Sequence, residues 1–347
     1  MFAVTPPSAS VAKEARTLLA GLATPPGAFG RLGEVGVWLS TTQGQVPPRR
    51  LENMRLVIFA GDHGVAAHGV SAFPSAITAA TVRAALQNKL GVCALAGAHG
   101  VHVRVLDISV DDDFADVPDS TRHTLQAYKI RRSSEPIHLR DALTERQVQQ
   151  ALAAGAEVAA EEIRAGAQLL ISGDLGIGNT TPAAAMVAAG LGLPAAEVVG
   201  RGSGIDDAAL DHKTDLIDTA LTRAGDRLSD PMHTLAAVGS ADLAVSTGFL
   251  AAAASSGVPV LLDGLMAVAC ALTADRLAPG AAAWFAAGHR STEPAQRLAL
   301  EKLGLPPLLD LGMRLGEGSG AVAAVPVLHG AVAALRDTAL LCDLLSD

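Results

Sequence analysis

Apolar and polar positions divide the chain into short unbroken apolar runs separated by longer Ala-rich stretches. The runs are MRLVIFA (54–60), VHVRVLD (101–107), AQLLIS (167–172), EVVG (197–200), VPVLL (258–262) and AAAWFAA (281–287). Runs of this length without alternation fit strands buried on both faces. VHVRVLD differs, because His102 and Arg104 alternate with valines as on a less buried strand. With helical stretches between the runs, the pattern predicts an α/β fold with a parallel, Rossmann-like sheet covered by helices. Residues 243–262 are uncharged and long enough to suggest a membrane span. Their Ala, Ser and Gly content and the SSGVP break predict a buried helix and a strand instead.

The two ends of the chain are helical in pattern and hold no strand candidates. The expected organisation is a large α/β domain over 46–318 and a small helical domain from 1–45 plus 319–347. Residues 108–150 carry DDDFADVPDS and YKIRRSSEP and read mainly as a solvated loop and helix start.

Composition narrows the picture. The chain of 347 residues is 50% hydrophobic but only 3% aromatic, so its core must be built from Ala, Val, Leu and Ile. A formal charge of −9 gives no electrostatic reason to grip nucleic acid or an anionic membrane. An anionic ligand must then be held by local dipoles and a few placed cations. Cys93, Cys270 and Cys342 are too few and too scattered for a disulfide framework or a thiolate metal site. The N-terminus shows no basic flank followed by an apolar run, so no signal peptide is expected and the cytoplasm is the expected compartment.

Candidate chemistry follows the strands. After them come GDHG, DISV, GDLGIGN, GRGSG, DGLM and GHRST. Ligands of open parallel sheets bind beyond the carboxyl ends of the strands, which would gather His63, Asp174, Ser203, Asp263 and Ser291 on one rim. In LLISGDLGIGNTTPAAAM, Gly173, Gly176 and Gly178 leave backbone N–H groups free, with Thr181 the expected N-cap and Pro182 the first helical residue. Such a helix start is a phosphate site, although a tight βα turn reads the same way. Neither dinucleotide glycine spacing nor a P-loop is present. In GRGSGIDDAALDHK, Gly202, Ser203 and Gly204 lead into a helix with Asp206 or Asp207 in its first turn. Lys213, two turns along, is either a phosphate counter-charge or a solvated lysine. No carboxylate cluster is spaced for Mg²⁺, so a phosphate would be a handle and not the reacting group.

Other motifs carry less by themselves. Asp62, His63 and His68 fit no zinc helix and read as strand-end structure before metal ligands. Phe73 and Pro74 offer a flat apolar surface for an aromatic ligand, or simple loop packing. Glu317 sits between Gly316 and Gly318 in RLGEGSGA. Two glycines there permit a sharp turn and a close ligand, or mark an ordinary turn before a helix.

FAGDHGV, GDLGIGNTTPAAAM, GRGSGIDD, GHRSTEP and PLLDLGMRLGEGSGA occur in that order, with PPGAFGRLGE near the start. On these motifs the chain resembles the nicotinate-nucleotide–dimethylbenzimidazole phosphoribosyltransferase family, which makes the lower ligand of cobalamin, from about residue 18 to the last helix. The resemblance implies a homodimer acting on nicotinate mononucleotide and a benzimidazole-type base, without cofactor, metal, nucleic acid or membrane. It implies that Glu317 is the catalytic glutamate. Phosphate and ribose contacts carry over to Gly176, Gly178, Asn179, Thr180, Gly202, Ser203 and Lys213. Base contacts are expected at Phe73, Pro74, Ser291 and Leu315. Asp174 and Asp263 are expected to stabilise a cationic ribose.

The chain departs from the family in two places. The family often has Glu where Asp174 stands, and Gln-Glu-Val-Thr-x-Gln where this chain has SAITAA. Ala76 and Ala80 thereby remove polar groups expected near the azole, which leaves adenine or another benzimidazole open as acceptor. Two rivals also stand: a non-catalytic nucleotide-binding or regulatory protein of the same fold, and, last, a metal-dependent phosphohydrolase.

Overall fold

The computed structural model describes residues 2–344. Five parallel strands form one sheet: β1 (Met54–Gly61), β2 (Val101–Ser109), β3 (Leu169–Leu175), β4 (Val260–Leu262) and β5 (Phe285–Ala287), in the order β2-β1-β3-β4-β5. The chain runs outward from β1 to β2 and then returns to the other side of β1. That reversal is the switch point at which such sheets leave a crevice.

The unbroken apolar runs have a direct cause. Successive side chains of a strand point to opposite faces. In β1, Leu56, Ile58 and Ala60 enter one core while Val57 and Phe59 enter the other. Helices cover both faces. Glu145–Arg164, Thr180–Leu191, Ala241–Ser255 and Leu265–Leu277 lie on one side; Gly30–Gln43, Ala76–Leu86, Gly91–His99 and Ser319–Asp337 lie on the other. β2 pairs only with β1 and is an edge strand with His102 exposed. Its alternating sequence reflects that position.

Several expectations change. EVVG is not a strand: Ala195–Val198 is a short helix with Pro194 in the cap position. A four-residue apolar run does not distinguish a strand from a buried helical turn, and Pro194 favours the turn. In AAAWFAA only Phe285–Ala287 is extended, after a 3₁₀ turn over Ala281–Trp284. Residues 108–150 are not wholly solvated, since Phe114, Leu125, Ile137, Ala142 and Leu143 are buried. Residues 243–262 do form a buried helix and a strand.

Of the helices among the described residues, Ser319–Asp337 is the one long and apolar enough to cross a membrane. Its apolar side is instead buried: Val322, Val325 and Leu328 share a core with Leu56 and Ile58 of β1 and with Leu39 of the Gly30–Gln43 helix. We propose that residues 1–45 with 319–347 form the smaller of two units, joined to the sheet through this common core. Residues 1 and 345–347 of that unit lie outside the described residues.

Candidate active site

A cleft opens at the carboxyl ends of β3, β4 and β5. At one end of it the two glycine loops meet: Gly176, Asn179 and Thr180 from the first, Gly202 and Ser203 from the second. Gly176 has to be glycine, because a Cβ there would lie 2.1 Å from the carbonyl oxygen of Gly61. Gly178 does not line the cleft. It turns the loop at φ +87° against Ala66. The following helix begins at Thr180, with Asn179 in the cap position, and not at Pro182. Asn179 does not cap with its side chain, which donates to Asp174 Oδ1 at 2.7 Å. Pro182 falls in the first turn, where its missing N–H has no intrahelical partner to lose.

Lys213 is neither solvated nor open to the cleft. It is fully buried, and its Nζ donates to Thr180 Oγ1 at 2.8 Å and to the Gly200 carbonyl at 2.9 Å. It thus ties the two loops together from beneath. Burial pushes its ammonium down to about 8, against a smaller upward pull from Glu293. Glu293 Oε1 accepts the Gly202 N–H at 2.9 Å. Ser203 Oγ accepts the Ala72 N–H at 3.0 Å and lies 3.2 Å from Ser71 Oγ.

Glu317 lines the same cleft. Gly316, Glu317 and Gly318 have φ of +79°, +64° and +94°. Three left-handed residues in a row are uncommon, and a glutamate among them is strained. The turn is docked on β3: Glu317 N–H donates to the Asp174 carbonyl at 3.2 Å, and the Glu317 carbonyl lies 2.5 Å from where a Cβ of Gly173 would be. The side chain is half-buried, and Oε2 has no hydrogen-bond partner. Burial raises its pKa, the Val92 backbone at the start of the Gly91–His99 helix lowers it, and the charge of Asp263 raises it again. The net shift is upward.

The two aspartates sit differently. Asp174 lines the cleft, and burial followed by the neighbouring Asp242 pushes its carboxyl well above the usual range. Asp174 Oδ2 and Asp242 Oδ2 both lack hydrogen-bond partners. Asp263 is buried behind the cleft wall and not on it. Its Oδ2 accepts the Gly318 N–H at 3.0 Å, and its Oδ1 accepts those of Gly320 and Ala321 at 2.7 and 3.0 Å. His63 also lies beneath the rim, with Nε2 3.6 Å from Asp242 Oδ2.

Of the residues expected at the base, Ser291 and Leu315 line the cleft, whereas Phe73 and Pro74 do not. Phe73 is 53% exposed on a loop tied to Ser203 through its backbone. The apolar walls come from Leu175, Met266 and Leu315. Ala76 and Ala80 face outward, and the Ala76–Leu86 helix presents Thr78 and Thr81 to the cleft instead. Glu293, Arg314 and His289 were missed as cleft residues. All three lie inside GHRSTEP or RLGEG, so the motifs contained them, but nothing local distinguished their inward side chains.

Comparison with known proteins agrees with this geometry. A family profile described as Phosphoribosyltransferase matches residues 4–343. The chain is 50% identical over 336 residues to the nicotinate-nucleotide–dimethylbenzimidazole phosphoribosyltransferase of Mycolicibacterium paratuberculosis, covering 97% of this chain and 95% of that protein. It is 47% identical over 332 residues to the protein of the same name from Mycobacterium leprae, covering 96% and 93%. The crystal structure of CobT from Thermus thermophilus superposes with a TM-score of 0.91 at 39% identity, covering 97% of this chain and 99% of that one. With a parallel sheet, and with two converging glycine loops and Glu317 lining one cleft, the chain belongs to the nicotinate-nucleotide–dimethylbenzimidazole phosphoribosyltransferase family.

Proposed function

We propose that this phosphoribosyltransferase moves the 5-phosphoribosyl group of nicotinate mononucleotide onto 5,6-dimethylbenzimidazole or a related azole, giving α-ribazole 5′-phosphate and nicotinate. The two glycine loops, with Lys213 beneath them, would hold the phosphate. Leu315, Met266 and Ser291 would border the azole.

The chemistry needs one base and no acid. The glycosidic nitrogen of the donor is already cationic and leaves with the bonding pair as a neutral pyridine. The azole lone pair forms the new bond to C1′, and the azole N–H becomes acidic as the ring turns cationic. Glu317 takes that proton. Attack opposite the leaving group converts a β-linked nucleotide into an α-linked product. Holding both reactants in the cleft supplies orientation. Asp174 serves through its link to Asn179, because burial and the neighbouring Asp242 disfavour the ionised form that would best support a cationic ribose.

The observation that carries this reading is the half-buried Glu317 carboxylate, its Oε2 unpartnered, on a strained turn beside the cleft. Glu317→Gln is expected to lower kcat by about 10²–10⁴-fold with nucleotide affinity nearly unchanged. The assay follows nicotinate release and identifies each ribotide by mass and anomeric configuration across a panel of benzimidazoles and adenine. An E317Q enzyme as fast as the unsubstituted one would remove Glu317 from the mechanism. The family likeness also supports a cytoplasmic homodimer whose ligands are small molecules, with no nucleic acid or membrane among its partners.

A further inference from the structure

We propose that Asp263 is a positioning residue for Glu317, holding the base loop in its left-handed turn from a rigid strand end. This rests on the general-base reading above.

Glu317 is the one residue of its turn with a side chain that disfavours the conformation, so the chain must be held there from outside. The carboxylate of Asp263 does this. Asp263 directly follows β4, which is flanked by β3 and β5 and cannot shift alone. Its two oxygens take three backbone N–H groups at the start of the Ser319–Asp337 helix, including that of Gly318, next to Glu317 in the chain. A negative charge is well placed at a helix N-terminus with unpaired donors.

Asp263 is itself clamped. Gln296 Nε2 donates to the Asp263 carbonyl at 3.1 Å and to the His289 carbonyl at 2.9 Å. His289 Nε2 lies 3.3 Å from Asp263 Oδ1. The His289 ring sits so close to Gly320 that a Cβ there would be 2.0 Å from Cδ2. Gln296, His289 and Asp263 therefore form one buried support for the turn, and none of them needs to touch a reactant to act.

The test is a double-mutant cycle with Asp263→Asn and Glu317→Gln. In the asparagine side chain one oxygen becomes an N–H₂ group, so at least one loop N–H faces a donor. D263N is expected to lower kcat by about 10–100-fold while nucleotide binding, followed by calorimetry, changes by less than about twofold. The loss should shrink with azoles whose ring N–H is more acidic, because they depend less on the base. In the E317Q background D263N should cost less than about twofold, since residues acting through one group are not additive.

An unchanged kcat in D263N overturns the proposal. So does an equal loss in both backgrounds, or an equal loss for every azole. Should D263N not fold, Gln296→Met, which loosens Asp263 through its main chain and leaves its carboxylate, must give the same signature at smaller amplitude; its absence is equally fatal. An E317Q enzyme of full activity sinks the general-base reading whatever D263N does. A crippled E317Q beside an unaffected D263N sinks only the positioning role.

Discussion

The chemistry of Lys213 depends on its surroundings. Its ammonium is buried beneath the glycine loops, and the cost of charging it there brings its pKa down to about 8. Below that pH it is a cation whose charge supports a phosphate at the loops from beneath; above it the amine is neutral. Affinity for nicotinate mononucleotide should therefore fall as pH rises through about 8, with the midpoint in the complex displaced upward because the bound phosphate favours the ammonium. Calorimetric titrations from about pH 7 to 9.5 measure this, and Lys213→Met, which keeps the apolar stem, should both weaken binding and flatten the profile. A flat profile in the unsubstituted enzyme would dismiss Lys213 as counter-charge. The motif named Lys213, but its partners Thr180 and Gly200 lie in loops that only folding brings together.

At the scale of elements, small residues decide how closely helices approach. The Glu145–Arg164 and Ala241–Ser255 helices cross at Gly155 and Gly248, where added Cβ atoms would lie 2.0 Å from the Val245 carbonyl and 2.3 Å from the Leu152 carbonyl. Both obstacles are backbone and cannot step aside. Gly155→Ala should cost about 3 kcal/mol, at the upper end for overpacking, and lower the melting temperature. Gly97→Ala, on the exposed side of the Gly91–His99 helix with open space around it, should be neutral or stabilise by about 0.5–1 kcal/mol. Thermal melts of the two variants check both signs. The Ala-rich, aromatic-poor composition announced close packing of this kind. The helix starts were less legible: the first glycine loop hands over to its helix at Thr180, and Asn179 in the cap position spends its side chain on Asp174.

The whole molecule is closed by its N-terminal segment. Trp284 Nε1 donates to the Thr5 carbonyl at 3.0 Å, and Trp38 Nε1 donates to that of Ala283 at 3.3 Å. Leu22, Val37 and Leu39 are buried, and Leu39 shares a core with β1 and the Ser319–Asp337 helix. Each such side chain contributes roughly 1.5–3 kcal/mol. Their combined loss would approach the total stability of a typical domain, about 5–15 kcal/mol. A chain starting at residue 46 is thus expected to show no cooperative melt by circular dichroism. A sharp transition matching the full chain would make the larger unit self-sufficient. The turn carrying Glu317 leads directly into the Ser319–Asp337 helix, so anything that loosens this shared core also loosens that turn.

By itself the sequence determined the alternation of buried strands and helices, the glycine loops at the strand ends, and the motif around Glu317. Those features are written in local spacing, where backbone geometry and burial act on neighbouring residues. The tertiary structure alone decided which polar side chains face the cleft. Asp263 and Asp174 follow or end adjacent strands with similar local sequence, yet one carboxylate is spent on a helix start 55–58 residues away and the other lines the floor. A side chain's partner is set by where distant segments pack, and short-range pattern carries no record of that.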